Sequence, residues 1–197
     1  MGCRHVLPWK VTEQEQRILD VHHPIDTAEI ERATKALLGK ALRRCTRAAD
    51  LASFSFGEPR NAFAPAGDTK EVGEYALHVQ CAWRIAHKDE VVVGSRDLYY
   101  PADYGDANQQ IPDGFDWDRD PNRRDKLLRG LFEGRPGGLV VGAVSVGRGG
   151  SLCIELSDDF SLEVFPDDSL GGEYWRLFKP QSDQPHFVLT GRGIEGE

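Results

Sequence analysis

A chain of 197 residues, 40% hydrophobic and 28% charged, is long enough for one domain with its own core and lies far from the composition of a disordered chain. Its net charge of −8 excludes the basic field on which nucleic-acid binding depends, and its longest nearly uncharged run, residues 136–146, falls short of the roughly 20 residues that span a bilayer. The four cysteines, Cys3, Cys45, Cys81 and Cys153, form no C-x-x-C pair, and no charged-then-apolar leader opens the chain, so reduced thiols in a cytoplasmic setting are expected.

Residues 12–20 can form a short helix that breaks at His22, His23 and Pro24. A stronger helix is predicted from Asp26 or Thr27, either of which can cap a first turn that contains Glu29. Apolar residues then recur at Ile30, Ala33, Leu37, Leu38, Ala41, Leu42, Cys45 and Ala48, the rhythm of one buried helical stripe. Arg43, Arg44 and Arg47 would sit in the last turns, where their charges suit the helix dipole, and the helix would end near Leu51.

From there the period changes to two. Tyr75, Leu77, Val79, Cys81, Trp83 and Ile85 alternate with Ala76, His78, Gln80, Ala82 and Arg84, which predicts one long half-buried strand with its odd-numbered side chains inside. Residues 87–90 turn the chain into a returning arm at 91–95. Residues 101–137, punctuated by Pro101, Pro112, Pro121 and Pro136, are read as loop with one short helical candidate at 123–132. Residues 139–146, 152–156 and 160–165 form a meander with turns at 147–150 and 157–159, and 174–178 and 186–190 supply two further strands. The fold class expected is α+β: an N-terminal amphipathic helix packed on a mainly antiparallel sheet, in one domain divided into 1–50, 51–100, 101–137 and 138–197.

Several groupings resemble reactive sites without completing one. Cys81 lies near His78 and His87, but residues three apart on a strand face opposite ways, so a buried structural cysteine is expected. Cys3, His5, His22 and His23 lack the paired spacing of a structural zinc site, so no metal or cofactor is expected. The Gly147-Arg148-Gly149-Gly150 run precedes a strand, not the helix N-terminus that a phosphate loop requires, and reads as a hairpin turn. Asp113, Asp116, Asp118 and Asp120 crowd around Phe115 and Trp117, where two carboxylates could divide acid and base roles with His78 as a further group, but nothing separates their environments, so a solvated acidic loop is expected, with a partner-binding loop as the next reading. Trp83, Arg84 and the segment from Ser95 to Pro101 concentrate the residue types of binding hot spots, with Arg84 and Tyr99 the members expected outside.

Residues 149–175 hold seven acids and no base. If they form a hairpin, Asp158 and Asp159 occupy its turn, Glu155 and Glu163 point outward, and Asp167, Asp168 and Glu173 extend one acidic patch that would steer a basic protein. The expected partner surface is therefore Asp113, Asp116, Trp117, Asp118, Asp158, Asp159, Asp167, Asp168, Arg84 and Tyr99.

The run from Tyr75 to Ile85, the Gly94-Ser95-x-Asp97 element and the hairpin ending in Phe165-Pro166 resemble a pattern of uncharacterised bacterial proteins, in which an H-x-Q-C-x-W-R-I strand precedes G-S-x-D. No catalytic motif accompanies that pattern. In size and charge the chain is also similar to the immunity proteins that neutralise bacterial toxins, which implies a non-catalytic inhibitor of a basic partner. A carboxylate hydrolase and an accessory subunit of a bacterial assembly are the alternatives.

Overall fold

The computed structural model describes residues 25–63, 69–106 and 108–196; the expected short helix at 12–20 and the Cys3, His5, His22 and His23 group lie outside them. The chain is α+β and mostly antiparallel. Helix α1 (Thr27–Thr34) begins at Asp26, whose carboxylate accepts from the Ala28 amide at 2.9 Å, and runs into a 3-10 turn, Lys35–Leu37. It is short and buries Ile30 and Thr34.

The helix expected to reach residue 51 stops here. Gly39 takes a positive φ of 72°, and Ala41–Ala48 is strand β1, paired with β2 (Leu51–Phe56). The helix-like spacing has a specific cause. A bulge between Leu42 and Arg44 inserts an extra residue, so Leu42 and Cys45 face the same side although three apart, as they would on a helix.

The remaining strands are β3 (Arg60–Phe63) and β4 (Thr69–Val72), a separate two-stranded ladder; β5 (Tyr75–Val79), β6 (Ala82–His87) and β7 (Glu90–Gly94); then β8 (Leu139–Val146), β9 (Leu152–Leu156), β10 (Phe160–Phe165), β11 (Glu173–Phe178), β12 (Phe187–Thr190) and β13 (Gly193–Gly196). A 3-10 turn, Ser95–Tyr99, follows β7, and helix α2 (Arg123–Glu133) starts at Asn122, whose side chain accepts from the Asp125 amide. Eleven strands hydrogen-bond in the order β13-β12-β11-β5-β2-β1-β8-β9-β10-β6-β7.

The long strand expected at 75–85 keeps its register but is bent in two. Leu77, Val79, Cys81, Trp83 and Ile85 are buried while Gln80 and Arg84 are exposed, yet β5 pairs with β2 and β11 and β6 pairs with β10 and β7. Only Gln80 and Cys81 separate them, although five strands stand between them in the sheet. The sheet must therefore curl round until its two halves meet at the bend. Phe54 on β2 and Trp83 on β6 meet edge to face inside the curl with ring centroids 5.0 Å apart, and one apolar cluster runs from Ile30 through both halves. The bend is held by Asp167, whose carboxylate accepts the Ala82 amide at 3.1 Å just past the end of β10.

The halves also join where β8 meets β1, through Ala41–Val140 and Leu42–Leu139, and Val141 continues the junction to Gly39 and Lys40 just before β1. Gly138 makes that approach possible: its φ is +73°, and a Cβ there would lie 2.6 Å from the Leu42 carbonyl oxygen.

Candidate functional site

The 101–122 connection is ordered by its own hydrogen bonds. The Ala102 amide donates to Pro121 O and the Arg123 amide to Tyr100 O, closing its base, while Arg123 reaches Asp97 at 3.1 Å and the Tyr104 carbonyl at 2.6 Å. The aspartates at its tip are divided by role. Asp116 accepts from the Asp118 amide and Asp120 from the Asp116 amide, so both stabilise the turn they belong to. Asp118 accepts from Arg47 Nη1 at 2.8 Å, and its carbonyl accepts from Nη2 at 2.8 Å; Arg47 Nε also donates to Asp125 at 2.9 Å. This guanidinium ties the loop tip to β1 and to the first turn of α2.

The tether sets Trp117 against Tyr99, edge to face at 5.5 Å. Tyr99 is 42% exposed at the end of the 3-10 turn, a turn that the Asp97 carboxylate fixes by accepting the Gly94 amide. Beside Tyr99 opens a cavity of about 370 Å³ over the bend between β5 and β6, bordered by Asp50, Gln80, Arg96 and Asp167, with Cys81 at its base. Arg96 forms no ion pair among the described residues. Two side chains singled out from the sequence, Tyr99 and Asp167, thus border one cavity; Trp117 packs against Tyr99, and Asp118 is held by Arg47.

The other candidates go elsewhere. Arg84 is exposed but engaged, donating to Glu163 at 2.7 Å and lying over the Phe165 ring at 5.2 Å. Asp113 is exposed in the loop tip. Asp158 and Asp159 form the β9–β10 turn, both at positive φ, whereas Asp167 and Asp168 follow the far end of β10. Six residues of strand, roughly 20 Å, separate the two pairs. Glu163 is taken by Arg84 and Glu173 by Arg176, so the single acidic patch expected from residues 149–175 is divided.

No assembled carboxylate–imidazole site joins the 113–120 loop to His78. Arg47, which holds Asp118, is in line with Ala52 and Val79 on the core face; His78, one residue earlier, lies on the opposite face against Phe178. Phe178 is stacked in turn on His186, whose Nδ1 is 3.3 Å from Arg176. The thiols are similarly placed for structure. Burial pushes Cys81 up to about 12, with the Asp167 charge adding to it, and burial pushes Cys45 to about 12, so neither is a thiolate near neutral pH. Cys45, Cys81 and Cys153 are free thiols. Among the described residues no three His, Cys, Asp or Glu side chains group as metal ligands, and no helix is long and apolar enough to cross a membrane.

No family model, curated protein or solved structure matches the chain. Its site is therefore read from its own chemistry. Sequence reasoning missed Asp50 and the tethering role of Arg47, and it placed Arg96 in the Ser95–Pro101 segment without giving it a part of its own. Arg47 was assigned to a helix terminus, and its contact with Asp118 bridges 71 residues, which no local pattern encodes.

Proposed function

We propose that the chain is a non-catalytic protein-binding module, in its concrete form an immunity-type inhibitor of a basic bacterial toxin or effector. The observation that carries this is the convergence of the exposed Tyr99, backed by the half-buried Trp117, with Asp50 and Asp167 at one cavity. An arginine or lysine of a partner would lie against the rings and direct its charge to the carboxylates, so that cation–π and ion-pair contacts share one desolvated pocket. Tyrosine and tryptophan in such a setting dominate binding energy, whereas exposed acids mainly raise the association rate. The division of the acidic segment assigns Asp167 and Asp168 to the neighbourhood of this cavity and leaves Asp158 and Asp159 at a distance from it.

The test is co-purification from the native source, followed by affinity measurement with the identified partner. Tyr99→Ala with Trp117→Ala should weaken binding by at least about 30-fold, the equivalent of roughly 2 kcal/mol. Asp167→Lys with Asp168→Lys should slow association and flatten its salt dependence. Asp158→Lys with Asp159→Lys should do neither. A partner indifferent to the first two pairs of substitutions removes the cavity from the account.

A further inference from the structure

A second surface carries the opposite charge and lies on the other side of the Arg47 tether. Strand β1 pairs with β2 along its whole length, but with β8 only at Ala41 and Leu42, because the bulge at Arg43 turns the rest of it away. From Arg44 to Ala48 one edge of β1 has no strand neighbour. The orientation of its polar groups follows from the hairpin. A two-residue turn makes Ala48 and Leu51 a hydrogen-bonded pair, so the bonded pairs alternate to Thr46–Ser53 and Arg44–Ser55. The amide and carbonyl groups of Cys45 and Arg47 then face the open edge, and no backbone group outside the strands bonds them.

Helix α2 runs beside this edge and leaves a groove of about 470 Å³. Its floor is Cys45, Leu128 and Phe132; Arg44 and Arg47 stand on the strand side, and Arg129 and Glu133 on the helix side. Arg47 meets two carboxylates, Asp118 and Asp125, an excess of one negative charge that the buried Arg124 behind the floor offsets. Arg44 and Arg129 are exposed and form no ion pair among the described residues, which leaves two guanidiniums against the one carboxylate of Glu133.

We infer that this groove takes an extended, acidic segment of a partner protein, which adds to β1 as a strand. Main-chain bonds to Cys45 and Arg47 supply affinity, alternate apolar side chains fill the floor, and the acids between them point to the opposite face, that of Arg44, while Arg129 on the helix side meets an acid at the end of the segment. About five open residues, roughly 16 Å of edge, are enough for a short strand. A second copy of the chain fits poorly, since antiparallel self-pairing would set the arginines of β1 opposite each other. A small free anion would leave both the edge and the apolar floor unused.

The inference is independent of the Tyr99 cavity, and its test separates the two. Random dodecapeptides are selected against the full chain, and the enriched peptides are measured by fluorescence anisotropy. The expected ligands alternate acidic and apolar residues, and their affinity falls at least tenfold for Arg44→Glu with Arg129→Glu and at least tenfold when alternate peptide amides are N-methylated. Arg44→Gln with Arg129→Gln, a milder pair, should give a smaller loss in the same direction. Tyr99→Ala with Trp117→Ala should leave peptide binding unchanged. Enrichment of basic peptides, or of none, overturns the inference. So does binding that survives N-methylation, and so does displacement of the peptide by millimolar inorganic phosphate.

Discussion

Arg124 offers a sharp test of the energetics of this fold, because it is a guanidinium with 1% exposure and incomplete bonding. Its Nη1 donates to the Asp50 carbonyl at 3.2 Å, while Nε and Nη2 have no acceptor; the nearest carboxylate oxygen, on Asp125, is 3.7 Å from Nε, too far for a hydrogen bond. Burial holds its pKa below the ordinary arginine range, and it occupies the first turn of α2, where the helix dipole disfavours a cation. Two unsatisfied buried donors cost about 1–3 kcal/mol each. Against this stand one charge-assisted bond of about 1.5–3 kcal/mol and a distant contact with the Trp83 ring at 6.0 Å. Arg124→Met, which keeps the length of the side chain and removes its polar atoms, should therefore raise stability by about 1–2 kcal/mol. Denaturant unfolding of the two proteins measures this directly. Arg124→Ala, which leaves a cavity, should instead lose about 2–5 kcal/mol. If Met loses more than about 1 kcal/mol, the guanidinium is better bonded than its geometry implies and the reasoning fails.

Two further outcomes follow from the same structure. Gly138→Ala should destabilise by at least about 1–2 kcal/mol, because a positive φ and a 2.6 Å approach to the Leu42 carbonyl act together at the only junction of β1 with β8; an unchanged melting temperature would mean that this junction yields freely. Glu173, through its hydrogen bonds from Arg176, has a folded-state pKa below the ordinary glutamate value. Its contribution to stability is present above the unfolded value of about 4.3 and is lost as pH falls through the folded value. Denaturation between pH 7 and pH 3 should show the unmodified chain losing stability more steeply below about pH 4.3 than Glu173→Gln, and parallel curves would refute the ion pair's role.

The meander was legible in the sequence because alternation and turn residues agree: Leu152, Ile154 and Leu156 face inward, and Asp158 and Asp159 tolerate the positive φ of the turn. The register of residues 75–85 was legible for the same reason, down to a buried Trp83 and an exposed Arg84. Its bend was not, since alternation passes through Gln80 and Cys81 without interruption, and the contacts that mark the break, the Ala82 amide to Asp167 and the Gln80 amide to the Tyr174 carbonyl, come from far along the chain. β1 was misread as helix because one bulged residue reproduces the helical spacing of Leu42 and Cys45. At the site, Tyr99 and Trp117 were singled out separately by residue type, and the fold brings them together. The continuity of the acidic segment was overestimated, because cross-strand partners such as Arg84 opposite Glu163 appear only once register is known.

The central claim is that partner contact centres on the Tyr99 and Trp117 cavity. Hydrogen exchange of the native complex against the free chain addresses it most directly. The account predicts protection at residues 80–82, 95–100 and 115–118, with the β9–β10 turn at Asp158 and Asp159 unchanged. Protection confined to that turn or to the outer strands β7 and β13, with the cavity unaffected, would contradict it.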